Sequence, residues 1–345
     1  MKQRYYINSK NCLCLAVFLS QNCKPIKEKK YTMSLKNDIL YELLNNNDYI
    51  SGQAIAKKFS KSRAAVWKAV KSLIQDGYDI DAVTNRGYKL TDSNDLISAQ
   101  SIKAAVKSDV EVLYFPSVDS TNNCCKRLLA DGKNGVFLVT ADEQTAGRGR
   151  QGKSFYSPPL TGVYFSLVIR PRTTLQNAVT ATTAAAVAVC KAIEKLTDKK
   201  PKIKWVNDVY LDGKKICGIL TEAVTNFEDA TVESVIIGIG INITTVDFPE
   251  DVPSAGSLNA KISRNRLIAE ITNELLEIAQ GDYNAFIAYY RSHSMVIGEK
   301  IKFIRNAKVT AATAVSIDET GGLEVELENG EHTVLRSGEI SIRRF

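Results

Sequence analysis

Six apolar runs of strand length lie between residues 110 and 243, with helix-period segments set among and after them. This alternation limits the fold more than any other feature of the chain. The runs are Val110–Phe115, Val136–Gln144, Gly162–Arg170, Lys202–Leu211, Lys215–Val224 and Ser234–Ile243. Apolar residues recur at helical spacing over 120–131, 175–197, 264–280 and 283–293. The pattern predicts one sheet dressed by helices, a mixed α/β or α+β domain. Ala181–Ala192 reads as a helix lying across a sheet face, with no chemistry of its own. At 345 residues the chain has room for two or three domains.

Ahead of this region, Leu35, Ile39, Leu40, Leu43 and Leu44 mark one buried face of a helix. Ser51 caps a second short helix with Ile55 and Phe59 inward, and a Ser60-Lys61 turn leads to Ser62, which caps a third. Val66, Ala69, Val70, Leu73 and Ile74 form the core stripe of that third helix. Arg63, Ala64, Trp67, Lys68 and Lys71 fall on its opposite face. Residues 78–90 then read as a β-hairpin with Arg86 near its tip. The whole describes a winged helix-turn-helix over 33–93, with Ser62, Arg63, Ala64, Trp67, Lys68 and Arg86 as DNA-binding candidates. Six Lys/Arg and no acidic residue lie between Tyr49 and Gln75, the local imbalance that a phosphate-contacting surface needs. A small helical protein-interaction module with a solvated basic face is the competing reading.

The overall charge says less. Of the formal +7, six charges sit in residues 1–32, which carry seven Lys/Arg and one acidic residue. Residues 12–19 are apolar after a basic start, yet too short for a membrane span. Met33 is the expected functional start, and residues 1–32 read as a disordered or mis-assigned extension. Seven cysteines form no zinc-type pair of pairs, and two histidines cannot build a His-rich site. Reduced thiols in a cytoplasm are expected.

Four polar clusters fall at the ends of the strand-like runs. Asp119-Ser120-Thr121-Asn122 opens a helix and, taken alone, is an N-cap. Gly147-Arg148-Gly149-Arg150-Gln151-Gly152 follows a strand ending near Gln144, and its free N–H groups and guanidinium forks suit an anion. Lys204-Trp205-Val206-Asn207-Asp208 leads through an Asp212-Gly213 hairpin turn to Lys215, at the start of a returning strand. Gly238-Ile239-Gly240-Ile241-Asn242 places glycines in a buried strand, where another backbone or a ligand comes close.

In order and spacing, these motifs resemble those of the biotin protein ligases. With the winged helix in front, the chain from about Met33 onward resembles the bifunctional biotin ligase and biotin-operon repressor. The resemblance implies an α+β ligase domain over 94–295 and an SH3-like barrel over 296–345, where short alternating runs and the Asn329-Gly330 turn already indicate a small β module. It implies that ATP and biotin give biotinyl-5′-adenylate, and that biotin then passes to a lysine of a biotin carboxyl carrier protein. Arg148, Gly149 and Arg150 would belong to a loop closing over biotin and the adenylate phosphate. Lys215 would stabilise charge at the carboxylate and α-phosphate, so Lys215, Arg148 and Arg150 are the catalytic candidates. Ser120, Thr121, Asn122 and Gln144 would bind the neutral end of biotin. Lys153, Phe155, Asn207, Asp208 and Asn242 would serve the nucleotide, with Mg²⁺ held through the phosphates and no metal ligand set from the protein.

Two residues depart from the family pattern. Val206 replaces a usual proline, which loses a fixed φ but no reactive group. Phe155 stands where relatives commonly carry a tryptophan that stacks on adenine. A glycine-rich loop so poor in packing is expected to lack order until ligand arrives. Operator DNA, a homodimer and no membrane association complete the expectation. A lipoyl ligase of the same fold, and a ligand-sensing repressor with an inactive ligase domain, are the alternatives.

Overall fold

Three helices open the described chain, each where the apolar spacing places it: α1 (Leu35–Leu44), α2 (Gly52–Lys58) and α3 (Arg63–Gln75). The computed structural model describes residues 35–342, apart from 45, 47, 76–77, 92–94, 171–177, 226–231, 247, 281–282, 306–307 and 337–339. The basic extension and Met33 lie outside the described residues. Ser51 and Ser62 cap as expected: their hydroxyls accept from Ala54 N and Ala65 N, each at 3.1 Å. Strands β1 (Ile80–Val83) and β2 (Gly87–Leu90) form the antiparallel wing. Gly87 has φ +113°, and a Cβ there would stand 2.1 Å from Ile50 O, so the wing seats against the segment before α2 only because this residue is glycine.

Ile39, Leu43, Ile55, Val66, Val70 and Leu73 fill a separate small core. Ile74 does not join it and is 46% exposed. It projects about 100° further around the helix than Leu73, past the edge of the buried stripe.

After α4 (Ala99–Ala105), a short helix that the sequence reading omitted, come β3 (Glu111–Val118), α5 (Thr121–Ala130), β4 (Phe137–Gln144), β5 (Gly162–Ile169) and α6 (Ala178–Leu196). Then follow β6 (Lys202–Lys204), β7 (Asp208–Leu211), β8 (Lys214–Thr225), β9 (Val232–Asn242), α7 (Arg264–Gln280) and α8 (Tyr283–His293). The seven strands make one sheet of order β3-β4-β5-β9-β8-β7-β6. Only β3 and β4 run parallel, so the sheet is mixed, as expected.

The run Lys202–Leu211 is not one strand. Lys202 pairs with Tyr210 and Lys204 with Asp208, so Trp205-Val206-Asn207 is the turn of a hairpin, with a cis Trp205–Val206 peptide. The turn looked like strand because Trp205 and Val206 are apolar β-formers. They are apolar because the turn itself is buried: Trp205 is 3% exposed, and its Nε1 donates to Gly321 O at 2.9 Å.

Side-chain alternation sorts the two faces of the sheet. In β9, Val235, Ile237, Ile239 and Ile241 enter the large core shared with α6 and α7, and each full burial stabilises the fold by about 1.5–3 kcal/mol. Ile236 packs on the other face with Cys124 and Cys125 of α5.

Five further strands, β10 (Lys300–Arg305), β11 (Lys308–Ile317), β12 (Leu323–Leu327), β13 (His332–Leu335) and β14 (Ile340–Ile342), form an antiparallel sheet of order β13-β12-β11-β10-β14. Among the described residues no ladder joins β13 to β14, so the hydrogen bonding leaves the expected barrel open along that seam. Among the described residues, no helix is long and apolar enough to cross a membrane.

Candidate active site

The face of β9 that turns away from the large core carries Gly238, Gly240 and Asn242, and above it opens a cleft of about 650 Å³. Every residue to which the resemblance assigned a role in catalysis or in binding biotin or nucleotide lines this cleft: Ser120, Thr121, Asn122, Gln144, Arg148, Gly149, Arg150, Lys153, Phe155, Asn207, Asp208, Lys215 and Asn242. They arrive from five separate segments of chain, and the sheet brings them together.

The uncharged end is a closed hydrogen-bond network. Ser120 holds the N-cap position of α5, but its side chain makes no capping bond. Gln144 supplies the cap instead: its Oε1 accepts from Thr121 N at 2.9 Å and from Thr121 Oγ1 at 3.2 Å, while its Nε2 donates to Ser157 Oγ at 2.9 Å. Asn122 Nδ2 donates to Leu220 O at 3.1 Å and to Glu222 Oε2 at 2.9 Å. Its Oδ1 lies 2.6 Å from the hydroxyl of buried Ser166. A Cβ on Gly238 would stand 2.1 Å from that Oδ1, so the glycine is what admits the amide. Beneath the cap, burial pushes the Asp119 carboxyl up, but bonds from Arg127, Asn123 and the Ser120 backbone outweigh it and hold it at about 2.

The charged end gathers cations around fixed acceptors. Lys215 Nζ lies 2.7 Å from Asp208 Oδ1 across the β7–β8 hairpin, whose turn residues Asp212 and Gly213 both have positive φ. Arg150 donates to Asn207 Oδ1 at 3.1 Å, and Arg148 donates to Asn123 Oδ1 at 2.9 Å. Cys217, two residues beyond Lys215, is fully buried and its thiol is pushed up by that burial, which leaves it unreactive.

The glycine-arginine loop closes on itself through its backbone. Gly149 N donates to Lys153 O at 2.7 Å, Phe155 N donates to Gly147 O at 2.9 Å, and a 3₁₀ turn spans Arg150–Gly152. The Phe155 ring packs on the floor glycines: a Cβ on Gly240 would meet it at 2.4 Å, and one on Gly218 at 3.1 Å. Backbone closure and one aromatic side chain thus define the shape of the loop in this arrangement.

The sequence reading missed several residues of the site. Ser166 and Glu222 are among them, as are Tyr210 and the segment Asp251–Ala255. Glu222 follows Gly218 and Leu220 at period two, so strand alternation alone could have placed it on the cleft face. The 251–255 segment has no such signal. It reaches the site because Lys215 N donates to Ser254 O at 2.7 Å and Gly256 N donates to Lys215 O at 2.9 Å.

On the winged-helix portion, Ser62, Arg63, Ala64, Trp67, Lys68 and Lys71 are all exposed on one face of α3. Trp67 is 53% exposed, with Lys71 Nζ 5.2 Å from its ring centroid. Arg86 lies in the wing turn, over the Tyr49 ring at 4.1 Å and 3.8 Å from Asp48.

Comparison with known proteins agrees with this arrangement. The model of the Biotin/lipoate A/B protein ligase family matches residues 114–242, an HTH domain model matches 36–89, and the Biotin protein ligase C terminal domain matches 296–343. The chain is 33% identical over 313 residues to the bifunctional ligase/repressor BirA of Bacillus subtilis, covering 86% of this chain and 95% of that protein. It is 29% identical over 324 residues to BirA of Escherichia coli, covering 91% and 98%. The solved structure of biotin protein ligase from Aquifex aeolicus in complex with biotin and ATP superposes with a TM-score of 0.57 at 28% identity, over 68% of this chain and 99% of that one. The chain belongs to the family of bifunctional ligase/repressors represented by BirA.

Proposed function

We propose that this protein joins biotin to ATP, transfers biotin to a lysine of a biotin carboxyl carrier protein, and represses biotin genes through its winged helix. The observation that carries the reading is the cleft itself: a neutral hydrogen-bonding end beside a cluster of Lys215, Arg148 and Arg150. Biotin has that division, with an uncharged ring system and a carboxylate. In the first step a carboxylate oxygen attacks the α-phosphorus, and the bond to pyrophosphate breaks. Two anions must meet, so fixed cations and N–H groups lower the barrier more than any nucleophile from the protein could. Lys215 holds the carboxylate and α-phosphate oxygens, and Arg148 and Arg150 close over them. In the second step the lysine amine attacks the acyl carbon and AMP leaves, with Lys215 stabilising the departing charge.

Ser120, Thr121, Asn122 and Gln144 orient the ring end of biotin. Lys153, Phe155, Asn207, Asp208 and Asn242 take the nucleotide. Mg²⁺ would be held through the phosphates of the nucleotide. The buried Asn242 Oδ1, which accepts no hydrogen bond, is an oxygen that would fit a hard cation there, beside the Asp208 carboxylate that faces Lys215 at 2.7 Å. Bound Mg²⁺ neutralises phosphate charge.

Ser62, Arg63, Ala64, Trp67, Lys68 and Arg86 form the operator-facing surface. The functional divisions are 33–93 for DNA, 94–295 for catalysis and 296–345 for the C-terminal module. The protein acts in the cytoplasm as a homodimer. Purified protein with biotin and Mg·ATP should release pyrophosphate, pass labelled biotin to a carrier domain, and gain operator affinity as adenylate forms. Transfer of lipoate in place of biotin, or no pyrophosphate, would overturn the reading.

A further inference from the structure

We propose that Ser166 is a positioning residue for ligand selection: from beneath the cleft it fixes the sense of the Thr121 hydroxyl, so that Thr121 meets the ligand only as a hydrogen-bond acceptor. The role rests on the reading of the cleft as the biotin site.

Ser166 lies on β5, fully buried, opposite Gly238 of β9. Its Oγ stands 2.6 Å from Asn122 Oδ1 and 2.7 Å from Thr121 Oγ1. Oxygens this close need a proton in each gap, and one hydroxyl carries only one. The amide decides which way the protons run. Asn122 Nδ2 faces two acceptors, Leu220 O at 3.1 Å and Glu222 Oε2 at 2.9 Å, so a flipped amide would set oxygen against oxygen. Oδ1 therefore faces Ser166 and can only accept, which commits the Ser166 proton to it. The proton in the 2.7 Å gap must then come from Thr121, with Ser166 Oγ accepting.

Gln144 Oε1, at 3.2 Å from Thr121 Oγ1, takes only the minor arm of that proton. It lies beyond the range of about 2.5–3.0 Å for an O–H···O bond, and it already accepts from Thr121 N at 2.9 Å. Both arms end on protein acceptors, so no Thr121 proton is left for a ligand. The chain of donors runs from Thr121 through Ser166 to Asn122 and on to Glu222, which Lys126 holds at 2.7 Å from the far side. Thr121 lines the cleft, and what it offers there is lone pairs. A neutral ring is then recognised by an N–H. The ureido ring of biotin carries two such groups, and the dithiolane ring of lipoate carries none. Exchanging that N–H for an oxygen would set lone pairs face to face, and a buried site built around a ligand donor rejects such an analogue strongly.

The probes are biotin and the two cyclic carbamates in which one or the other ureido N–H is replaced by oxygen. Calorimetric titration of the full chain measures each. Wild-type protein should bind one of the two carbamates about 10²-fold or more weaker than biotin. Ser166→Ala leaves the Thr121 proton only its longer arm, so the hydroxyl can turn and donate to the ring oxygen. Biotin affinity should fall about 3–10-fold, the worth of one hydrogen bond. The preference for biotin over that carbamate should shrink by about tenfold, because the carbamate gains what biotin loses. Thr121→Val keeps the shape without a hydroxyl, and adding Ser166→Ala to it should leave the preference where Thr121→Val alone puts it.

A serine that only fills space would weaken biotin and both carbamates by one factor, and an unchanged preference in Ser166→Ala overturns the proposal. So would wild-type protein that binds both carbamates as tightly as biotin, or a double variant whose preference differs from that of Thr121→Val. If Ser166→Ala does not fold, Ser166→Cys decides: its thiol is a poor donor and acceptor, and the preference should narrow in the same direction. Failure of wild-type protein to bind biotin at all would defeat the reading of the cleft and the role of Ser166 with it. Biotin bound with an unchanged preference in the variants would defeat the role of Ser166 alone.

Discussion

Lys215 Nζ and Asp208 Oδ1 face each other at 2.7 Å across a two-stranded hairpin, which aims the cation into the cleft from a rigid base. The lysine stem is held by its own strand and by the backbone bonds to Ser254 and Gly256. A cation fixed in this way stabilises charge that develops in the transition state without reorganising.

Lys215→Ala should therefore cut the adenylation rate by about 10²–10³-fold, while biotin affinity falls far less. Single-turnover pyrophosphate release set beside equilibrium biotin binding separates the two. Equal losses in both would remove Lys215 from the chemical step.

Gly238→Ala tests the neutral end. Its Cβ would stand 2.1 Å from Asn122 Oδ1, so either the amide or β9 must shift. The expected cost is about 1–3 kcal/mol of stability, together with weaker biotin binding. Chemical denaturation and calorimetric titration on the same variant check both. A variant that keeps wild-type biotin affinity would show that Asn122 is not part of the ligand site.

Arg63→Ala should weaken operator binding by about 1–3 kcal/mol and leave ligase turnover intact. Arg63 is exposed at the start of α3, with no part in the cleft. Gel-shift titration and biotin transfer, run on one preparation, measure both quantities.

Asp119 gives a pH prediction. Its folded-state carboxyl is held at about 2, below the ordinary value of 3.8. A depressed carboxyl adds stability that is fully present above the unfolded value and is lost as pH falls through the folded one. Wild-type protein should lose this contribution between about pH 4 and pH 2. Arg127→Ala, which removes the bidentate partner at 2.7 and 3.0 Å, should flatten the slope across that window. Denaturant midpoints measured at half-unit pH steps would show it, and an unchanged slope would mean that Arg127 does not set the carboxyl.

The local elements of this protein were legible from its residues. Apolar spacing located the three helices of the winged portion. The alternation of isoleucine with glycine from Gly238 to Asn242 identified the strand on which the cleft rests. These are short-range patterns, set by periods of 3.6 and 2 that any segment carries in itself. The Lys204–Asp208 segment shows where that reasoning stops. Its turn is as apolar as a strand because Trp205 is buried under the C-terminal sheet, 116 residues away in sequence. The seat of the Phe155 ring likewise depends on Gly218 and Gly240, two glycines on neighbouring strands.

Motifs therefore named most of the cleft, but only folding decided how they act on one another. Gln144 became the cap of α5, Ser166 the partner of Asn122, and Glu222 the common partner of Asn122 and Arg148. None of these pairings has a sequence period, because hydrogen bonds and ion pairs act over about 3 Å and depend on which distant strands the sheet sets side by side.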